Sequence, residues 1–353
     1  MVEELTYNAI DLLKAMISTP SISREEGEVS KIIETFIATA GYQPQRIGNN
    51  IYCLSKKFDS ARPTILLNSH MDTVKAVQGW SYDPFSATEV DDHIYGLGSN
   101  DAGASLVSLL ATFIYIDQLP QSYNLIFLAS AEEEISGKGG IELALQHLPH
   151  FDVAIVGEPT DMQPAIAEKG LMVLDGVIHG ISGHAARNEG DNAISKAITV
   201  IEQLHSFNFP KKSETLGDIK ISVTQINAGT QHNVIPDRCN IVVDIRTTDA
   251  YSNIETMKLI TDSIPNCEFT PRSTRLNPSN IDIEHPIVKR LIRLGATPFG
   301  SPTLSDQAQI TTPSLKLGVG SSSRSHTADE YITKTEIREA IRTYTTLLNE
   351  LNL

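Results

Sequence analysis

The stretch Thr64-Ile65-Leu66-Leu67-Asn68-Ser69-His70-Met71-Asp72-Thr73-Val74 limits the possible folds of this chain more than any other. Its short apolar run, placed after Pro63, reads as a strand buried on both faces, as in a mostly parallel sheet. Such sheets bind ligands in the crevice beyond the carboxyl ends of their strands. This strand ends there in His70 and, two residues on, Asp72. An imidazole with a carboxylate beside it suits a metal site: the ring nitrogen ligates, and the carboxylate fixes tautomer and orientation. His-x-Asp alone is a weak sign, because a surface histidine near a solvated aspartate is common.

Three more strand-like runs end in the same way. Asn124–Ser130 leads into Ala131-Glu132-Glu133-Glu134, and Val153–Val156 leads into Gly157-Glu158-Pro159-Thr160. Ser314–Gly318 leads into a serine-rich loop that carries His326. The glycine-rich turn Tyr95–Gly103 places Asp101 just ahead of an apolar helix expected over Ala104–Ile116. Two histidines, an aspartate and two or three glutamates are therefore expected at one rim of one sheet. That set suits a dinuclear metal site for zinc, cobalt or manganese. The acidic triplet has an alternative reading as a solvated charge run. Directly after a buried strand, however, such crowding is costly without metal charge to offset it.

The length of 353 residues allows two domains with sizeable cores, and 41% apolar content is that of a soluble globular chain. A net charge of −15 argues against nucleic acid or an anionic membrane as a partner. Met1–Thr19 has early acids and amphipathic spacing, so it is expected to be a helix rather than a signal peptide. No apolar stretch reaches membrane-spanning length. Cys53, Cys239 and Cys267 show no Cys-x-x-Cys spacing and read as buried thiols of a cytoplasmic protein.

In chain order, helices are expected over Glu26–Ala40, Ile283–Leu294 and Thr335–Leu351, with Gly41 capping the first. From Leu171 to Pro271 the pattern changes: strand Leu171–Ile181, helix Asn192–Phe207, strands Ile219–Ile226 and Arg238–Arg246, helix Ser252–Ser263, strand Glu268–Pro271. That βαββαβ order is ferredoxin-like. The expected fold is an α/β catalytic domain with a mostly parallel sheet (1–171 and 279–353), interrupted by an α+β unit (172–278).

His70-x-Asp72, the Gly96-x-Gly98-x-x-Asp101 turn, Glu133-Glu134, Gly157-Glu158-Pro159-Thr160 and late His326 resemble the zinc aminoacylase and peptidase family. Acetylornithine deacetylases, succinyl-diaminopimelate desuccinylases, carboxypeptidase G and related dipeptidases belong to it. The resemblance covers nearly the whole chain, and the five motifs in this order are highly specific. It implies that His70 and Glu158 hold one zinc, Glu134 and His326 the other, and that Asp101 bridges both. Asp72 would orient His70, and Glu133 would be the general base. A cis Asp101–Ala102 bond is implied too. One departure stands out: relatives commonly have Lys-Gly where this chain has Gly103-Ala104, which changes local charge.

Within the inserted unit, Ser182-Gly183-His184-Ala185-Ala186-Arg187, Asn233-Val234-Ile235-Pro236 and Asp244-x-Arg246 also match. By resemblance His184 reaches the partner subunit's active site, so a homodimer through 172–278 is implied. Arg246 reads either as a surface charge or as a clamp for a substrate carboxylate, with Asn233 in the same binding role. The expected reaction is metal-assisted hydrolysis of an N-acyl amino acid. Within the family, the chain length and the Gly157-Glu158-Pro159-Thr160 and Glu168-Lys169-Gly170 stretches most resemble the N-acylornithine deacylases of arginine biosynthesis, which implies removal of acetyl or succinyl from N2-acyl-L-ornithine. The alternatives are a succinyl-diaminopimelate desuccinylase, a general aminoacylase or dipeptidase, and a metal-free binding protein.

Overall fold

The computed structural model describes residues 2–187 and 189–353. They form two compact units: Met1–Ile166 with Asn280–Phe299 and Ser305–Leu353, and Ala167–Ser279 with Gly300–Leu304. The first junction lies ahead of the expected 171/172. Gly300–Leu304, expected in the catalytic unit, belongs to the other one. The reason is close backbone packing: a Cβ on Gly300 would meet Thr215 O at 2.7 Å, and Lys169 N donates to Ser301 O at 3.1 Å.

In the first unit, strand Thr64–His70 runs parallel to Asn124–Ser130 on one side and to Val153–Val156 on the other. Ser314–Lys316 extends the parallel set beyond Val153–Val156. Antiparallel strands Asn50–Leu54 and Gln45–Ile47 close one edge. Alternation sends successive side chains to opposite faces, and both faces are covered. Ile65, Leu67, Phe127 and Ile155 join one core with helices Val2–Ile17, Ala104–Ile116 and Lys334–Leu348. Leu66, Ile126, Leu128 and Val156 join a second core with Ile141, Ala144 and Phe151. Burying each such leucine or isoleucine contributes about 1.5–3 kcal/mol, so the strand register is firmly held and every carboxyl end comes out at the same rim.

The expected helix over Met1–Thr19 spans Val2–Ile17, with Met1 outside the described residues. The helix expected from Ile283 begins at Pro286, because the His285 ring accepts from Ile287 N at 3.3 Å and caps it there. Gly41, at φ +82°, ends the second helix in the left-handed conformation that glycine tolerates best.

The second unit is an antiparallel sheet in the order Lys220–Ala228, Arg238–Thr247, Gly170–His179, Glu268–Pro271. Helices Ala193–His205 and Asn253–Ser263 complete a βαββαβ chain whose first and third strands are central. Ala197, Val200, Leu204 and Ile260 pack with Leu174, Ile178, Ile241 and Val243. The alternation of buried residues with half-buried ones along Gly170–Ile178, ending in exposed His179, matches a sheet covered on one face. No described helix is long and apolar enough to cross a membrane. Cys53, Cys239 and Cys267 are buried free thiols.

Candidate metal centre

His70 closes its strand almost fully buried, at 1% exposure. Its Nδ1 lies 3.0 Å from the carbonyl oxygen of Asp72 and 3.5 Å from Asp72 Oδ1. A proton on Nδ1 therefore leaves Nε2 facing two acids: Asp101 Oδ1 at 3.2 Å and Glu158 Oε1 at 3.9 Å. Glu158 is delivered by the neighbouring parallel strand through Gly157. A Cβ on Gly157 would meet Leu109 Cδ1 at 2.7 Å and Ser69 Cβ at 3.0 Å, so the rim closes only over glycine.

Asp101 comes from the turn after Gly98, which sits at φ +75°, and the Asp101–Ala102 peptide is cis. A residue that sequence reasoning missed holds this turn. Glu330 is 2% exposed, and its carboxylate accepts the backbone N–H groups of Gly98 (3.1 Å), Asn100 (2.8 Å) and Asp101 (2.9 Å). Its carbonyl accepts a fourth, from Gly96 N at 3.0 Å. Burial pushes the Glu330 carboxyl up to about 7 even with those donors. No local pattern marks this residue, since its partners lie more than two hundred positions away.

The acidic triplet divides by geometry. Glu132, at φ +54°, turns back over the following loop, where a Cβ on Gly137 or Gly139 would meet its carboxylate oxygens at 1.9 and 2.3 Å. The backbone N–H groups of Glu133 and Glu134 donate to Asp72 Oδ1 (3.0 Å) and Oδ2 (3.2 Å). Asp72 thus orients the His70 ring and the turn that carries both acids, with Ser23 Oγ as a further donor at 2.6 Å. Glu134 meets His326 Nε2 at 3.0 Å, and Asp101 Oδ2 lies 3.6 Å from the same nitrogen. His326 is 53% exposed in its side chain and stands in a left-handed turn at φ +59°.

Two sets of potential ligands result: His70, Asp101 and Glu158; and Asp101, Glu134 and His326. Within each set the ligand atoms all lie within 4.8 Å of one another, and Asp101 belongs to both. The electrostatics fit a pair of cations. Burial and the nearby Glu158 charge hold the Glu133 carboxyl well above the usual range, and burial pushes Glu158 up to about 8. The hydrogen bond to Glu134 pushes His326 up to about 9. Burial opposes protonation of His70, yet its hydrogen bonds to Asp101 and Asp72 carry it well above its ordinary value. Protons thus supply positive charge that a metal pair would provide instead.

The remaining expected residues belong to the second unit. His184 is exposed, and strand Gly183–His184 pairs with Val234–Ile235 next to Asn233, whose carbonyl accepts from Ala185 N at 3.0 Å. His184 Nδ1 accepts from Ala186 N at 3.1 Å, so the neutral ring carries its proton on Nε2 and presents a donor. Arg246 is held as a fork by Asp244, with Nε to Oδ1 at 2.9 Å and Nη2 to Oδ2 at 3.2 Å.

The model of peptidase family M20/M25/M40 matches residues 66–350 of this chain. Acetylornithine deacetylase of Pectobacterium atrosepticum is 30% identical over 360 residues, covering 92% of this chain and 92% of the relative. Acetylornithine deacetylase of Shigella sonnei is 30% identical over 353 residues with the same coverage. Among solved structures, a tripeptidase of Staphylococcus aureus superposes with a TM-score of 0.75 at 20% identity over 98% of both chains. The YXEP protein of Bacillus subtilis, described as a dinuclear metal binding peptidase, superposes at 0.74 with 17% identity over the same coverage.

Proposed function

Because the chain belongs to peptidase family M20/M25/M40, and so to a class of metal-dependent hydrolases, we propose that it removes an acetyl or succinyl group from N2-acyl-L-ornithine. The observation that carries the reading is the pair of ligand sets sharing Asp101, with the base candidate Glu133 next to one of their members. The ornithine assignment comes from the relatives named acetylornithine deacetylase. Cytoplasmic arginine biosynthesis is the corresponding setting.

His70, Asp101 and Glu158 would hold one zinc, and Asp101, Glu134 and His326 the second, with cobalt or manganese as substitutes. When bound, the ions supply Lewis acidity that polarises the acyl carbonyl and lowers the proton affinity of the attacking water. Glu133 takes the proton from that water and returns it to the leaving amine. Asp72 keeps Glu133 and His70 in register through its bonds to both. His184 Nε2–H donates to the oxyanion, and Arg246, preset by Asp244, pairs with the substrate carboxylate.

His184 is proposed to act across a homodimer formed by the second unit. Strand Lys220–Ala228 is an edge of its sheet, and its Ile226 is 55% exposed. On helix Ala193–His205, Ile194 and Ile198 stand one turn apart at 40% and 55% exposure. An unpaired edge beside exposed isoleucines supports burial against a second copy.

Side-by-side assay of N-acetylornithine, N-succinylornithine and N-succinyl-diaminopimelate, with metal content measured, tests the reading. An N-acylornithine should show the highest kcat/KM. Preference for the diaminopimelate substrate or for a dipeptide would overturn the ornithine assignment. A metal-free, inactive protein would overturn hydrolysis.

A further inference from the structure

We propose that Asp306 is a positioning residue for the reaction: its carboxylate clamps together the carboxyl ends of the two parallel strands that deliver His70 and Glu133. The proposal rests on the amide-hydrolase reading for its catalytic consequence, and on geometry for the clamp.

Asp306 opens the short turn Asp306–Gln309, where Ser305 Oγ accepts from Gln307 N at 3.2 Å. It is 3% exposed. One oxygen, Oδ2, accepts from Asn68 Nδ2 at 2.8 Å and from Ser130 Oγ at 2.5 Å. Asn68 stands two residues before His70, so both side chains leave the same face of their strand. Ser130 is the register partner of His70 on the adjacent strand and leads through Ala131 into the acidic triplet. Asp306 therefore bridges the two strands one step before the metal rim. Asp72 ties the same two segments one step after it.

The choice of an acid is informative. Asn68 and Ser130 are neutral donors, and a neutral acceptor would bond them at a smaller desolvation cost. A charged acceptor makes shorter and stronger bonds, and the Ser130 bond at 2.5 Å falls in the charge-assisted range. Stiffness at this point matters because an ångström of misplacement between base and ligand is expensive in rate. The hydrogen bonds of Asp306 go to Asn68 and Ser130, through which it positions His70 and the acidic triplet. Its charge also adds to the burial and the Glu158 charge that raise Glu133, and burial pushes its own carboxyl up to about 6.

The test uses the full chain loaded with metal. Asp306→Ala should lower kcat about 100-fold on the best N-acyl amino acid, with KM within about three-fold, since misplaced groups lose transition-state rather than uniform binding. With cobalt bound, its visible absorption should shift as the His70 geometry relaxes. Asp306→Asn keeps an acceptor and should lie between Ala and wild type in both readouts. Adding Asn68→Ala to Asp306→Ala should cost less than the product of the single effects. A folded Asp306→Ala with kcat within about two-fold of wild type and an unchanged cobalt spectrum would overturn the clamp. Should Asp306→Ala not fold, Asp306→Asn decides, and wild-type kcat and spectrum there overturn it as well. If wild type hydrolyses no N-acyl amino acid, the functional reading fails, and the cobalt spectrum alone still judges the clamp.

Discussion

Glu132, Glu133 and Glu134 are chemically identical neighbours with three different surroundings, and those surroundings dictate different consequences on mutation. Glu132 is folded over Gly137 and Gly139, and Glu134 faces His326. Glu133→Gln removes the proposed base and no ligand. It should keep both metals while turnover falls by about 10²–10⁴-fold. Glu134→Gln should instead weaken binding at the second site, as read by chelator competition. The reverse pattern would mean that base and ligand are exchanged. The protonation of the site makes a second prediction. In the metal-free fold His326 is raised to about 9 by Glu134, and Glu158 to about 8 by burial. Both shifts make the folded chain hold more protons than the unfolded one. The His326 contribution is full below its unfolded value and lost as pH rises through about 9. For Glu158 the folded state is disfavoured progressively from the usual carboxylate range up to about 8. Metal-free protein should therefore lose stability between about pH 6 and 9, while metal affinity rises over the same window as protons are displaced. Thermal melts with and without chelator across that range check it. A metal-free melting point that rises with pH would contradict the assignment.

The turn that carries Asp101 and the helix behind it act as one element, and they explain the missing lysine. A Cβ on Gly103 would meet Gly98 O at 2.5 Å and Leu13 Cδ1 at 2.8 Å. Leu13 belongs to helix Val2–Ile17, fully buried against this turn. Glycine at this position is thus required by close packing, whatever its effect on charge. Gly103→Lys, which puts in the lysine that the family resemblance leads one to expect, should cost about 1–3 kcal/mol by overpacking. Denaturant titration of the metal-free protein reads that cost. A variant as stable as wild type would overturn the packing requirement, since both the Gly98 carbonyl and Leu13 would then have to give way at no cost. The same element shows why the glycine-rich turn alone does not place a candidate ligand: Asp101 depends on Glu330, which holds three N–H groups of its turn.

For the molecule as a whole, His184 is the residue whose role depends on assembly. It is exposed within its own unit, with its ring fixed by Ala186 and Nε2 left as a donor. If it serves the partner's site, His184→Ala should be folded, metal-loaded and nearly inactive. Mixing it with Glu133→Gln and allowing subunit exchange should restore activity. One site of the mixed dimer then combines an intact Glu133 with an intact His184, so recovery should approach about half the wild-type rate per mixed dimer. A role confined to packing would appear as lost stability with no rescue on mixing.

The sequence by itself determined the main elements and the acids and histidine that follow the sheet strands. Short continuous apolar runs that end at His70 or lead into Glu134 and Glu158 define parallel strands, and parallel strands bring their carboxyl ends to one rim whatever the details of packing. The βαββαβ order of the second unit was readable for a similar reason, because alternation and helical periodicity are local. Tertiary structure alone decided what holds the site in place. Glu330 and Asp306 are buried acids whose side-chain partners come from distant segments, the Gly98–Asp101 turn and Asn68 with Ser130, and buried Glu26 reaches from Arg24 N to the distant Glu132 N. No spacing in the chain marks them. A buried carboxylate needs donors supplied by the fold, and which donors it finds is a property of three-dimensional proximity. The unit boundary was displaced for the same reason: Gly300–Leu304 follows its backbone contacts with the second unit, which the linear pattern does not encode.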